Sequence, residues 1–115
     1  MPKYTPTTVL ASAVYSATTN SNPVAFEYST NIAVTVTLTA ITGGGTVTPS
    51  IQWSADGTNW VPEDPATAFT ALTAAGGAAR NVSVKGPLMR VVLTLSGGTA
   101  PTFTASVVTI PLASS

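Results

Sequence analysis

Histidine and cysteine are both absent from the 115 residues of this chain. Their absence removes the commonest general base, the best side-chain nucleophile and the usual ligands of transition metals. It also excludes disulfide bonds, so packing and strand pairing must hold the fold together. No run of apolar residues reaches the length of about 18 that a membrane helix needs. We therefore expect no catalytic residues, no cofactor and no metal site.

Charged residues are also scarce, at 7% of the chain, with four basic and four acidic side chains. An ordinary soluble domain carries about 25%. The balanced charge provides no electrostatic footprint for nucleic acid or for an anionic membrane, and we expect neither as a partner. Threonine, with serine, alanine and glycine, must cover much of the surface. A surface of hydroxyls and methyls loses little hydration when another protein covers it, which favours a protein interface.

Alternation of apolar and polar residues is the main structural signal. Its clearest instance is residues 31–41, and the same period of two recurs in 47–54, 82–85 and 89–96. Further strands are expected at 8–16, 24–28, around Trp60, near Phe69 before a Gly76-Gly77 turn, and from Phe103 onward. The apolar residues at every second position of the two longest segments are predicted to form the core: Ile32, Val34, Val36, Leu38, Met89, Val91, Leu93 and Leu95.

Seven or eight short strands with turn signals about every ten residues are typical of an antiparallel β-sandwich or a jelly-roll-like barrel. The chain has the size of one domain. We therefore predict a single all-β domain over residues 1–115, with residues 1–6 and 113–115 as terminal extensions.

Asp56-Gly57 lies between two alternating segments and predicts a tight hairpin, because both residues accept the φ > 0 conformations of primed turns. A two-residue turn would pair Ala55 with Thr58. It would then place Trp53 directly opposite Trp60, on one face of the sheet.

Residues 54–60 resemble the Asp-box of sialidase-like propellers, with the spacing one residue short, and resemble hairpins of discoidin-like sugar-binding sandwiches. That resemblance implies carbohydrate contact through Trp53, Asp56 and Trp60 as an alternative. Burial of both tryptophans is the favoured interpretation, since large aromatics in strands usually belong to the core. Calcium chelation by Glu63-Asp64 beside Asp56 is a weaker alternative to a solvated turn.

Four segments, 10–21, 36–43, 51–60 and 89–107, follow one another in an order that resembles small phage and prophage proteins encoded among virion structural genes. The resemblance implies a non-enzymatic protein on the surface of a bacteriophage virion. We expect a capsid decoration or cement protein that binds the major capsid protein and forms a homo-oligomer such as a trimer. The alternatives are a tail or fibre component with a carbohydrate-binding role, and a secreted adhesion module.

Overall fold

The computed structural model describes residues 7–25, 29–63 and 69–113, with backbone alone at 29, 30, 112 and 113. No residue in these ranges is helical, so they contain no helix that could cross a membrane. The same ranges hold nine strands: β1 Thr7–Tyr15, β2 Thr19–Asn20, β3 Val24–Ala25, β4 Ser29–Thr42, β5 Thr46–Ser54, β6 Val61–Pro62, β7 Gly76–Ser83, β8 Leu88–Ser96 and β9 Thr102–Ala113.

The strands form two antiparallel sheets. The first, sheet A, has four strands in the order β1-β9-β4-β7. The second, sheet B, has five, in the order β2-β8-β5-β6 with β3 also paired to β8. The two sheets pack as a sandwich, which confirms the all-β prediction. The nine strands exceed the predicted seven or eight, and three of them, β2, β3 and β6, are only two residues long.

The core lies between the sheets and is built from the inward-facing side chains of β4, β5, β8 and β9. Residues Ile32, Val34 and Val36 of β4 are fully buried, as are Val91 and Leu93 of β8. Seven of the eight predicted core residues are buried. The eighth, Leu95, is half-buried and packs against the edge of the cluster, because β8 is there approaching its end at Ser96.

Several local predictions were wrong. Gly76 and Gly77 do not form a turn but begin β7, where they pair with Leu38 and Thr37 of β4. Phe69 is buried yet lies outside any strand, and the neighbouring Leu72 instead makes an isolated antiparallel bridge to Val47.

Parts of the predicted segments lie outside the described residues. The predicted strand at 24–28 begins as β3, while residues 26–28 lie outside the described residues, as do 1–6 and 114–115. Residue 113 is not part of a terminal extension, because β9 continues to Ala113.

Two glycine-rich connections pack against each other beside the ends of β4, β5, β8 and β9. The Thr99 N–H donates to the carbonyl of Gly43 at 2.8 Å. Gly98 has a φ of 72°, and a Cβ there would collide with the Gly43 carbonyl oxygen and lie 2.8 Å from the Gly45 nitrogen. Only glycine fits this position, because the two backbones approach more closely than any side chain allows.

Candidate functional site

The loop between β5 and β6 is organised around the carboxylate of Asp56. Its Oδ1 accepts hydrogen bonds of 2.8 Å from the backbone N–H groups of Thr58 and Asn59, and its Oδ2 accepts one of 2.8 Å from the Asn59 side-chain amide. The Ser54 hydroxyl donates to Oδ1 at 3.1 Å and accepts from the Gly57 N–H at 2.8 Å. The Asn59 and Thr58 backbone bonds, followed by the Asn59 amide and Ser54 hydroxyl bonds, hold the pKa of Asp56 well below its usual range.

The register of this hairpin differs from the predicted one. Trp53 pairs with Val61 and Gln52 with Pro62, so residues 55–60 all belong to the connection. The two-residue turn and the Trp53–Trp60 pair were therefore wrong. Asp56 is the physical reason: its carboxylate binds the backbone of the two residues after Gly57 and keeps them in the loop, out of strand pairing.

The two tryptophans lie on opposite sides of sheet B. Trp53 is 4% exposed and faces the core opposite Met89, which confirms the expected burial for this residue. Trp60 is half-buried on the outer side, where the Arg90 guanidinium lies 4.5 Å from its ring centroid. Arg90 in turn donates from Nε to Gln52 Oε1 at 2.7 Å. The expectation that both indoles are buried is thus wrong for Trp60.

These positions bear on the carbohydrate alternative. Trp53 lies inside the sandwich, and Asp56 uses both carboxylate oxygens within its own loop. Trp60 is the member of the set with exposed ring surface, and Arg90 lies over that ring. Trp53, Asp56 and Trp60 therefore do not share one surface, and carbohydrate binding remains a prediction that depends on Trp60.

A shallow cavity of about 200 Å³ opens beside this hairpin, against the segment that precedes β8. Next to it, Lys85 Nζ lies 2.7 Å from Glu63 Oε2, and the Glu63 side chain is only 1% exposed. The prediction of a solvated turn at Glu63 was therefore wrong, because a buried carboxylate here is neutralised by a lysine. The cavity is lined by Trp53, Ser54, Ala55, Val61, Lys85, Gly86 and Pro87.

Within the described ranges, no three acidic residues lie close enough to hold a metal ion. Asp64, which the calcium alternative requires, lies outside the described residues.

The outer side of sheet A is a second candidate, and we name it the uncharged face. Strands β1, β4 and β9 contain no charged residue at all. The charge on β7 belongs to Arg80, which pairs with the inward-facing Val34 and bonds through Nη1 to the Ala79 carbonyl at the sheet edge. The face consists of Thr8, Val14, Ala33, Thr35, Thr37, Ala79, Asn81, Thr104, Ser106, Val108 and Ile110.

The other described charges lie on sheet B or its connections, namely Asp56, Glu63, Lys85 and Arg90. Among the five charged residues that the structure describes, four therefore lie on the side of sheet B, and the fifth, Arg80, lies at the edge of sheet A. Sequence alone indicated a charge-poor surface but could not locate it, because the charge-free strands β1, β4 and β9 are separated in the chain by other strands, most of which are also free of charge. They lie side by side only because of the strand order in sheet A.

No protein-family model matches the chain, and no curated protein sequence matches it. Among solved structures, it is similar to a chain in the structure of infectious bursal disease virus, Gx strain, with a TM-score of 0.57 and 14% sequence identity. The likeness covers 96% of this chain and 33% of the viral chain, so this protein spans about a third of that chain's length. At this identity the likeness shows a shared fold: the chain has a β-sandwich of a kind found in a virus structure.

Proposed function

We propose that this protein is a structural component of a bacteriophage particle, a decoration protein bound in many copies to the shell of major capsid protein. The observation that carries the proposal is the uncharged face, a sheet surface of threonine, serine, alanine and valine with no charged residue among those described there. The fold shared with a chain from a virus structure and the resemblance to phage virion proteins support the same role. In this proposal the protein is not an enzyme.

The physical basis is the low cost of covering such a surface. Burying a charged group without a partner costs several kcal/mol, whereas hydroxyls can find backbone or side-chain partners and methyls gain from burial. Repeated weak contacts on a lattice of identical sites then combine into stable attachment. Since few ion pairs take part, attachment depends little on ionic strength.

Purified phage particles test this proposal. Particles are washed in low salt and, in parallel, in about 1 M salt, where the Debye length is about 3 Å. The amount of this protein relative to the major capsid protein is then measured by gel and mass spectrometry. We expect many copies per particle, in a fixed ratio to the shell protein, retained after both washes. A wash in urea serves as the control that release can be detected.

Two results would contradict the decoration role. Release in moderate salt would show that ion pairs hold the protein in place. A copy number of only a few per particle would point to a tail or fibre position.

A tail or fibre protein that binds carbohydrate is a second candidate, favoured by one observation. Trp60 exposes part of its ring beside Gln52 and Arg90, and an aromatic surface with adjacent hydrogen-bonding groups suits a sugar ring. A glycan array probed with the protein and with the variant Trp60→Ala tests it. Binding that disappears in the variant would support this candidate, and no binding by the unaltered protein would exclude it for the sugars tested.

A further inference from the structure

The uncharged face needs a partner of matching chemistry. Val14 on β1 is 69% exposed, one of the two most exposed large hydrophobic residues in the described part of the chain. It pairs with Thr104 at the start of a row of half-buried residues along β9 that ends at Ile110. A partner that brought a charge onto this surface would lose the hydration of that charge and receive no opposite charge in return. The matching surface is therefore also uncharged.

Within this molecule, the surface with that chemistry is the uncharged face itself. The outer side of sheet B carries Arg90 and Trp60, so stacking sheet A of one copy on sheet B of another would cover a guanidinium with no carboxylate opposite it. Such head-to-tail stacking also closes into a ring only at particular rotation angles, and at other angles it leads to open fibres. Two copies of the uncharged face meeting across a twofold axis avoid both costs.

The size of the face sets the strength of this contact. Four strands at about 4.8 Å spacing give a width of about 19 Å, and the eight paired positions of β4 and β7 give a length of about 27 Å. One copy therefore contributes about 500 Å², and a pair buries about 1,000 Å², the lower limit for a specific interface. A contact of this size is typical of weak, reversible association, which depends on protein concentration.

We propose that the uncharged face binds the same face of a second copy of this chain, sheet against sheet across a twofold axis. The central contacts are Thr35 and Thr37 on β4 with Ser106 and Val108 on β9, which pair in the register Thr35–Val108 and Thr37–Ser106. Val14 is buried at the margin of the contact. The dimer forms in the free protein, where no capsid surface competes for the uncharged face, and it does not depend on a role in a phage particle.

The test is sedimentation equilibrium of the purified full-length protein across a wide concentration range, with two matched variants. Thr35→Lys places a lysine at the centre of the uncharged face, and the twofold axis brings two such charges together. Thr94→Lys places the same charge on an exposed strand position of sheet B, where Thr94 pairs with Thr48. We expect a dimer for the unaltered protein and for Thr94→Lys, and a dissociation constant at least about tenfold higher for Thr35→Lys.

Circular dichroism melts show whether each variant folds. If Thr35→Lys does not fold, Ser106→Lys on the neighbouring strand takes its place. A protein that stays monomeric at millimolar concentration would overturn the inference, as would a dimer that Thr94→Lys dissociates and Thr35→Lys does not. A monomer that still attaches to phage particles would refute the dimer and leave the proposed function standing. A protein that dimerises in solution but is absent from phage particles would refute the proposed function and support the proposed dimer.

Discussion

Truncation of Leu93 measures how much of the fold depends on the core of sheet B. Leu93 is fully buried in β8, between Thr19 of β2 and Pro49 of β5. Leu93→Ala removes apolar atoms and leaves a cavity that the flanking strands cannot fill, so we expect a loss of about 3–5 kcal/mol in the free energy of unfolding. At about 4 °C per kcal/mol for a domain of this size, the melting temperature falls by roughly 12–20 °C.

Leu95→Ala is the matched control, since Leu95 is half-buried two residues further along the same strand. Its truncation exposes little new cavity and is expected to cost about 1 kcal/mol, or roughly 4 °C. Urea unfolding followed by circular dichroism gives both values from the shift of the midpoint at constant slope. Equal losses for the two variants would refute the assignment of Leu93 to the closed interior and of Leu95 to its margin.

Two further predictions concern the loops. Gly98→Ala should lower the melting temperature more than Gly97→Ala. Both glycines have a φ near 70°, but only a Cβ at position 98 meets the Gly43 carbonyl. The Gly97 variant is expected to lose about 1–2 kcal/mol of the free energy of unfolding from backbone strain alone. Asp56→Asn should lower the melting temperature at neutral pH, and this difference should shrink as the pH falls below about 4. The sign follows because the depressed pKa of Asp56 stabilises the fold only while the carboxylate is ionised. Similar melting temperatures for the two glycine variants, or a difference for Asp56→Asn that does not change with pH, would contradict these interpretations.

Asp56 illustrates how the function of a residue can differ from the one its motif indicates. The string around it resembles a turn found in sugar-binding and sialidase-like proteins, and the carboxylate was a candidate ligand contact. In the structure its carboxylate bonds to Ser54, Thr58 and Asn59 of the same loop. The motif therefore specifies loop geometry, and it positions Trp60 on the outer side of sheet B.

The alternating pattern by itself determined which residues of β4 and β8 face the core, because a strand has a period of two and its apolar half must be buried. Composition likewise determined that the surface carries few charges. Neither the pattern nor the composition could determine which strands pair, since alternation shows which face of a strand a side chain is on but not which strand lies beside it. The tertiary structure decided that β9 lies between β1 and β4, which assembles three charge-free strands into one face. It also decided the register of the β5–β6 hairpin. The bonds of Asp56 to the backbone of Thr58 and Asn59 lengthen the loop, and the alternating pattern gives no sign of that lengthening.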